Sequence, residues 1–460
     1  ALGARFEIQR AEVMLDRLMK LGTRQPEILH LAGQSYRMIF RQERAMECFE
    51  RVIRLTKEIP DAYLELAILY ERRHRLDEAF GLVEACLRAV PDYFEAQFFK
   101  ARLLRRLKNE TGADSIFRAL SMNDHAHPEV RAQAWAELAQ SHDRHEEYDD
   151  AMRAMVRCKE LLLAKEGVVF RHAQNIMGHL CSLVDGLTRS HLERWRIQVG
   201  EFPAKRVAVL TGFPRSGTTL LEQVLDSHSG VVSSDEREAF ARDIFPALWL
   251  TPTSSLPTPE ALDAAPAERL LNLRARYLAY METALNEPIG ARVHVDKNPT
   301  LTVVLAGFLR LFPETRCLIA LRDPRDVIIS CFMQYLPLNA NSVYFLTLER
   351  AAQRYANDLG LWQRLRQKLE SPWAEVRYED TVRSLESEAR RVFQFLGLEW
   401  EPSVMNYRER LKQKAVASPT YEAVGQPLHT RAIGRWRHYQ GYLEKSLVLL
   451  QPIIKACGYD

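Results

Sequence analysis

Small and apolar residues recur at a fixed interval through the first 160 residues. One small residue stands in phase in every unit, at steps of 34, 34, 34 and 38 residues: Ala11, Ala45, Ala79, Ala113 and Ala151. An apolar residue follows four positions after each, and a second small series runs through Gly33, Ala67, Ala101 and Ala139. Positions four apart share one face of a helix, so the pattern predicts helical hairpins that stack into a solenoid with a concave groove.

The apolar pattern changes beyond residue 203. Short apolar runs suited to buried strands alternate with helical spacing, which predicts a parallel sheet covered on both faces. The strands are expected at 207–210, 231–233, 292–296 and 316–321, and the clearest helices at 219–225 and 269–285. Residues 234–238 are predicted to head a helix, and Thr300 to cap another. The predicted organisation is a solenoid over 1–160, connecting helices over 161–203 and an α/β domain over 204–460.

A glycine-bounded loop joins the first predicted strand to its helix. Gly212 and Gly217 enclose it, and Thr218 occupies the place of the lysine of a nucleoside-triphosphate P-loop. A positive charge comes instead from Arg215, inside the loop. Backbone N–H groups of such a loop and of the helix N-terminus point at one spot, so the segment predicts an oxyanion site rather than an ATP-dependent kinase.

Two motifs resemble those of sulfotransferases that use 3′-phosphoadenosine 5′-phosphosulfate (PAPS). Residues 213–219, FPRSGTT, resemble the 5′-phosphosulfate loop, and residues 322–330, RDPRDVIIS, resemble the 3′-phosphate motif. The PRSGTT form is most similar to tyrosylprotein sulfotransferases and to bacterial sulfotransferases with tetratricopeptide repeats, and the 34-residue period resembles that repeat. The resemblance to the sulfotransferases covers roughly 205–460.

The resemblance implies which residues bind PAPS and its product, adenosine 3′,5′-bisphosphate (PAP). They are Arg215, Ser216, Gly217, Thr218, Thr219, Arg322, Ser330, Tyr378, Thr420 and Arg435. Arg322 and Ser330 are expected to converge on the 3′-phosphate, and Tyr378 to lie by the adenosine. Asp323 and Asp326 are left open as salt-bridge or capping groups, and Arg325 is expected at the surface.

The resemblance also implies the catalytic groups. Lys297 would donate to the bridging oxygen that leaves, Arg215 would hold the transferred group, and Glu236 would take the acceptor proton. Asp235 and Glu238 compete with Glu236 for that role, as does His228. Cations alone can stabilise the singly charged sulfate ester, so no metal is expected.

The amino-acid composition limits the kinds of partner and the cellular compartment that are expected. The chain has 63 basic and 60 acidic residues, a net charge of +3, which gives no reason to expect nucleic acid or an anionic membrane. Seven scattered cysteines without a C-x-x-C pair, and the lack of a run of about 20 apolar residues, predict a cytoplasmic protein with reduced thiols. The chain starts at Ala1 and its first repeat lacks a leading helix, so the natural chain is expected to extend upstream.

The predicted activity is sulfuryl transfer to a hydroxyl, with a tyrosine of a peptide or protein as the first choice because a solenoid groove suits extended chains. A carbohydrate or small-molecule hydroxyl is the alternative acceptor. A repeat scaffold with a nucleotide-binding but inactive domain is the alternative class, and a homodimer is left open. Glu238 stands where tyrosylprotein enzymes have an arginine that reads acidic peptides, although Arg242 is retained, so donor use carries over better than acceptor identity.

Overall fold

The computed structural model describes residues 7–21, 24–164, 166–200, 202, 204–251, 254–411 and 428–459. The chain divides into two compact units. The first consists of Ala1–Glu166 with Met333–Leu336, and the second of Gly167–Phe332 with Pro337–Asp460.

The first unit is a run of helices that pair into hairpins. They are α1 (Ile8–Lys20), α2 (Pro26–Met38), α3 (Gln42–Leu55), α4 (Pro60–Arg72), α5 (Leu76–Ala89), α6 (Phe94–Arg106), α7 (Glu110–Ser121), α8 (Pro128–Arg144) and α9 (Tyr148–Leu163). Four of the in-phase alanines have no exposed surface: Ala45, Ala79, Ala113 and Ala151. The small side chain lets neighbouring helices approach closely, so the predicted repeat region is confirmed.

One turn geometry recurs at the repeat interval. The residues that follow α2, α4, α6 and α8 have left-handed φ angles between 60° and 65°: Phe40, His74, Lys108 and Glu146. After α2, the N–H of Arg41 donates to the Tyr36 carbonyl at 2.9 Å, and after α4 Arg75 donates to Tyr70 at 3.0 Å. These six-to-one bonds cap the helix ends and reverse the chain into the second helix of each hairpin.

The second unit begins with helices and continues as alternating strands and helices. Its first part contains α10 (Gly167–Gly186), α11 (Arg189–Gly200), β1 (Val207–Thr211), α12 (Thr218–Asp226), β2 (Val231–Asp235), a π-helix (Phe240–Ile244), α13 (Phe245–Trp249), α14 (Pro259–Asp263), α15 (Ala267–Leu285) and β3 (Val293–Lys297). Its second part contains a 3₁₀ turn (Leu301–Val304), α16 (Leu305–Leu311), β4 (Arg316–Leu321), α17 (Pro324–Phe332), a 3₁₀ turn (Ser342–Leu346), α18 (Leu348–Arg366), β5 (Trp373–Arg377), α19 (Tyr378–Arg383), α20 (Leu385–Leu396), 3₁₀ turns at Pro402–Asn406 and Arg435–Tyr439, α21 (Tyr407–Leu411) and α22 (Gln440–Ala456).

The five strands form one parallel sheet in the order β2-β3-β1-β4-β5, which confirms the predicted fold class. Lys297, the last residue of β3, pairs with Leu210 of β1 on one side and with Asp235 of β2 on the other. The carboxyl ends of these strands therefore lie level beside β1, where the strand order changes direction and ligands bind in open α/β sheets.

The structure corrects two local predictions. Ser234 and Asp235 were expected to head a helix, but both belong to β2, because β2 pairs with β3 up to its last residue. The helix begins only at Phe240, as a π-helix. Thr300 precedes the 3₁₀ turn without capping it, because its hydroxyl donates instead to Asn298 Oδ1 at 2.8 Å.

Helix α12 lies in the core between the sheet and α20. Its apolar residues pack with strand and α20 side chains, among them Leu221, Val224, Val293, Leu318 and Phe393. All nine residues of α12 are buried, including the polar ones. The helix that follows the glycine-bounded loop is therefore fixed against β2 and β3.

Candidate active site

The loop over residues 212–217 depends on glycine at both ends. Gly212 has a φ of 150°, and a Cβ there would lie 2.3 Å from the Ala320 carbonyl oxygen. Its N–H donates to the Thr302 hydroxyl at 3.0 Å, and that hydroxyl lies 2.6 Å from the Gly212 oxygen. Gly217 has a left-handed φ of 92°. The loop is thus held open by backbone geometry that other residues rarely adopt.

The start of α12 is suited to binding an anion. Gly217 is its N-cap and has no side chain to accept from the first-turn N–H groups of Thr218 and Thr219. The hydroxyl oxygen of Ser216 is buried without a hydrogen-bond partner among the described residues. The N-terminus of a helix favours a phosphate or sulfate oxygen, because its backbone N–H groups and its dipole attract negative charge.

Three arginines converge beside this loop. Arg215, with a left-handed φ of 71°, donates from Nε to Ser330 Oγ at 3.0 Å. Arg322 donates from Nη1 to the Arg215 carbonyl at 3.1 Å and from Nη2 to Ala432 O. Burial lowers the pKa of Arg215, and the nearby charges of Arg322 and Arg435 lower it further. A bound anion would relieve the repulsion among these like charges.

The structure brings Tyr378 to the same place. Its ring lies against Gly217, where an added Cβ would be 2.6 Å from Tyr378 Cδ2. The Arg322 guanidinium carbon stands 4.8 Å from the ring centroid. Burial raises the pKa of the Tyr378 phenol. The tyrosine is the first residue of α19, directly beyond the end of β5.

Lys297 ends β3 and is wholly buried among carboxylates. Its ammonium nitrogen lies 2.5 Å from Asp235 Oδ1, 2.9 Å from Glu236 Oε1 and 3.4 Å from Glu222 Oε2. Burial acts to lower the pKa of Lys297, but these three carboxylates outweigh it and raise the pKa above its ordinary value. The lysine is therefore a charged donor.

Glu236 lies directly beyond β2 in a left-handed conformation, with a φ of 49°. Its N–H donates to the Lys297 carbonyl at 2.8 Å, and its side chain is 32% exposed, so one end of the carboxylate faces outward. Left-handed non-glycine residues are costly and concentrate at functional sites. Arg215 and Glu236, two of the residues singled out from the sequence, both have this geometry.

Each of the three competing bases, Asp235, Glu238 and His228, also has hydrogen-bond or ion-pair partners. Asp235 contacts Lys297 and is almost fully buried, and Glu238 forms an exposed pair with Arg242 at 2.8 Å. His228 accepts from the Gly230 N–H on Nδ1 at 2.9 Å, and its Nε2 lies 2.7 Å from the Glu399 carbonyl. A carbonyl only accepts, so Nε2 carries the proton and neither ring nitrogen is free.

The 3′-phosphate motif is tied to the segment near the C-terminus. Asp326, 1% exposed, accepts the backbone N–H groups of Gly434 and Trp436 at 2.7 and 2.8 Å. Arg325 was expected at the surface, but its side chain is only 12% exposed. It donates twice to Asp323 and stands 4.1 Å from the Trp436 ring centroid. These contacts hold the turn that carries Arg435.

Two residues complete the comparison with the sequence. Thr420 lies outside the described residues. Glu222 was not singled out at all: its neighbours Leu220, Leu221, Val224 and Leu225 are typical of an amphipathic helix, in which a glutamate belongs to the polar face. The sequence did carry one signal that Glu222 lies near the site: its helix, α12, follows directly from the anion loop.

Metal-binding clusters, membrane-spanning helices and cysteines can be assessed over the part of the chain that the structure describes. There, no cluster of three or more His, Cys, Asp or Glu side chains has the arrangement to hold a metal ion. No described helix is long and apolar enough to cross a membrane. All seven cysteines are free thiols.

Parts of both units are similar to known protein families. Residues 208–402 match the sulfotransferase family, and residues 60–103 match the tetratricopeptide repeat. An uncharacterized protein of Aquifex aeolicus is 25% identical over 334 residues, which are 71% of this chain and 42% of that protein. Protein-tyrosine sulfotransferase 2 of Gallus gallus is 24% identical over 273 residues, 54% of this chain and 68% of that protein. The chain thus spans less than half the length of the Aquifex relative.

Solved structures with a similar domain include the sulfotransferase domain of the Synechococcus PCC 7002 olefin synthase. It is 19% identical, with a TM-score of 0.39, and the match covers 56% of this chain and 96% of that domain. A retinol dehydratase in complex with retinol and PAP is 18% identical, with a TM-score of 0.31, covering 58% of this chain and 86% of that one.

Proposed function

We propose that this chain transfers a sulfuryl group from PAPS to an acceptor hydroxyl. The proposal starts from the match of residues 208–402 to the sulfotransferase family. One observation carries the proposal. The buried Lys297 and the partly exposed Glu236 form a pair at the same sheet edge as an anion loop surrounded by arginines. Sulfuryl transfer needs these two kinds of site side by side.

The donor is proposed to bind through its two anionic ends. The Ser216 N–H donates to the Phe213 carbonyl at 3.2 Å, so the N–H groups of residues 217–219 and the Arg215 guanidinium would hold the 5′-phosphosulfate. Arg322 and Ser330 would hold the 3′-phosphate. The unpaired, buried Ser216 hydroxyl and Arg322 Nε support this assignment, because buried polar atoms ordinarily have partners. Arg435, held by the Asp326-anchored turn, adds charge to the same region.

The chemistry would divide between the lysine and the glutamate. The acceptor oxygen forms a bond to sulfur as the bond from sulfur to the bridging phosphate oxygen breaks. Lys297 donates a hydrogen bond to the leaving oxygen, where negative charge gathers. Glu236 takes the proton of the acceptor hydroxyl. Lys297 now donates to Glu236, so donor binding must draw the ammonium toward the phosphate and release the carboxylate.

The acceptor is proposed to be a tyrosine of a peptide or protein. Two observations support this choice: the similarity to protein-tyrosine sulfotransferases and the repeat segment, whose grooves suit extended chains. Arg242 is paired with Glu238 and is thus partly neutralised, so the acceptor need not be strongly acidic. A carbohydrate or small-molecule hydroxyl is the alternative acceptor.

The test is incubation of the full chain with ³⁵S-labelled PAPS and matched acceptors: tyrosine peptides, the same peptides with phenylalanine, sugars and simple phenols. Label in the tyrosine peptides alone supports the proposal. Label in a sugar or phenol shifts the acceptor class but keeps the reaction. PAP binding without transfer to any acceptor would instead indicate an inactive nucleotide-binding scaffold.

A further inference from the structure

Glu222 is a fully buried glutamate in the middle of the core helix α12. It lies five residues beyond Gly217, and its Oε2 is 3.4 Å from the Lys297 ammonium. Its other oxygen, Oε1, accepts from the Ser233 hydroxyl of β2 at 2.6 Å. The carboxylate is therefore held from two sides, by a hydroxyl on one strand and a cation on the next.

An ionised carboxylate in the core is costly unless a charge compensates it. Apolar residues surround Glu222 along α12, and a leucine or methionine would fill the same space without that cost. A glutamate here is explained by the cation it faces. Lys297 has no exposed surface, and a lysine buried without counter-charges would lose its proton.

The other two carboxylates around Lys297 cannot replace Glu222 throughout the reaction. Glu236 is the proposed base and becomes neutral when it takes the acceptor proton. Asp235 approaches Lys297 from β2, beside Glu236 and on the same side of the sheet edge. Glu222 alone approaches from the helix that carries the anion loop.

We propose that Glu222 is a positioning residue: its carboxylate keeps the charged Lys297 side chain beside the anion loop during sulfuryl transfer, when the ammonium has moved away from Glu236. The inference rests on the proposed function, since it assigns Lys297 to the leaving oxygen. Because α12 carries both the N–H groups at its start and Glu222, this one rigid helix would position both the phosphosulfate and the Lys297 ammonium.

The test compares Glu222→Gln with Asp358→Asn. Both change a buried carboxylate that faces a cation into an amide, but Asp358 pairs with Arg354, at 2.6 Å in α18, and not with Lys297. The first readout needs no donor or acceptor: NMR titration of lysine side chains labelled at Cε, with the Lys297 signal identified by its loss in Lys297→Arg. The groups that face Lys297 are Glu222, Asp235 and Glu236, with Asp296 adjacent on β3.

Glu222→Gln is expected to make Lys297 titrate at lower pH, with Asp358→Asn unchanged. In the full reaction kcat should fall by about 10- to 150-fold, the size of one charged hydrogen bond, while PAP affinity changes little. The alkaline limb of the kcat–pH profile should move to lower pH. Ser233→Ala removes the bond to Oε1 and should cause smaller changes in the same direction, which keeps the test intact if Glu222→Gln folds poorly.

Two outcomes would overturn the inference, and they differ from failure of the proposed function. A Lys297 titration that is the same in wild type, Glu222→Gln and Ser233→Ala would remove Glu222 from this role, whatever the activity. Equal losses of kcat in Glu222→Gln and Asp358→Asn, with unshifted pH profiles, would mean that Glu222 serves stability alone. A wild-type chain that transfers no sulfuryl group would overturn the proposed function itself.

Discussion

The ammonium nitrogen of Lys297 lies 2.9 Å from a carboxylate oxygen of Glu236. The proposed acid and the proposed base are therefore paired with each other. The Glu236 carboxylate is one of the three that raise the pKa of Lys297 and keep the lysine charged. In the proposed mechanism donor binding separates them, so we expect Glu236 to act as a base only when a leaving oxygen competes for the ammonium. This relationship leads to the first prediction.

Glu236→Gln should abolish transfer and leave PAP binding nearly intact. A general base contributes about 10²- to 10⁴-fold, and an amide cannot accept the proton, so the transfer rate should fall by that factor. Rates are measured with labelled PAPS, and PAP affinity by calorimetry. The control is Glu238→Gln, an exposed carboxylate two residues away that pairs with Arg242. A Glu236→Gln rate equal to that of wild type would assign the base to another group.

Arg322→Ala should weaken the binding of PAP much more than the binding of AMP, which lacks the 3′-phosphate. Loss of a charged hydrogen bond costs about 1.5–3 kcal/mol, so PAP affinity should fall roughly 10- to 150-fold. AMP affinity should change much less, and this ratio separates phosphate recognition from the contacts of Arg322 with Arg215 O and Ala432 O. Arg390→Ala, at an exposed pair on α20, is the control. Parallel losses for both nucleotides would contradict the assignment.

Gly217→Ala should destabilise the second unit. The substitution forces a side chain into a left-handed conformation, and its Cβ would meet Tyr378 Cδ2 at 2.6 Å. The expected cost is about 1–3 kcal/mol in the free energy of unfolding, measured with urea. Gly178→Ala in α10 meets nothing within 4 Å and should instead stabilise by about 0.5–1 kcal/mol. Equal effects of the two changes would show that the loop tolerates a side chain.

The pH dependence of stability should carry a contribution from Asp296. Burial raises the pKa of Asp296 to about 7, although the Tyr277 hydroxyl, at 2.6 Å, and Lys297 act to lower it. In the unfolded chain its pKa is about 3.9. The native state therefore binds the extra proton between these values. Its stabilisation is complete below about pH 4 and is lost as the pH rises through 7.

Asp296→Asn cannot titrate, so its unfolding free energy relative to wild type should rise between pH 4 and 7, by on the order of 4 kcal/mol. Urea unfolding at intervals across that range measures the difference. Burial lowers the pKa of His294 to about 4, an opposing effect that both proteins share and that cancels in the comparison. Parallel stability curves for the two proteins would contradict the raised pKa of Asp296.

Much of the fold follows from local patterns. The repeat period could be predicted because each hairpin must present a small residue where helices cross, and Ala45, Ala79 and Ala113 do so. The β4 strand could be predicted because a strand buried on both faces is nearly all apolar. The end of β2 could not, because Ser234 and Asp235 are polar and are in the sheet only through pairing with β3.

The site was harder to predict where tertiary contacts decide a residue's role. Arg325 stands in a charged motif and looks like a surface residue, but Asp323 and Trp436 cover it. Glu222 occupies what would be the polar stripe of an isolated α12, but it is fully buried and contacts Ser233 of β2 and Lys297 of β3. Sequence spacing identifies the residues that a loop places in the site. It does not identify the side chains from distant segments that form ion pairs with them.

The central claim is that the loop around Arg215 binds a 3′,5′-bisphosphorylated adenosine together with Lys297 at the end of β3 and Arg322 just beyond β4, the strands on either side of β1. A crystal structure of the complex with PAP tests it most directly. We predict the 5′-phosphate against the N–H groups of residues 217–219, the 3′-phosphate at Arg322 and Ser330, and Lys297 turned toward the 5′-phosphate. Density for the nucleotide elsewhere, or a 3′-phosphate that Arg322 does not contact, would contradict the account.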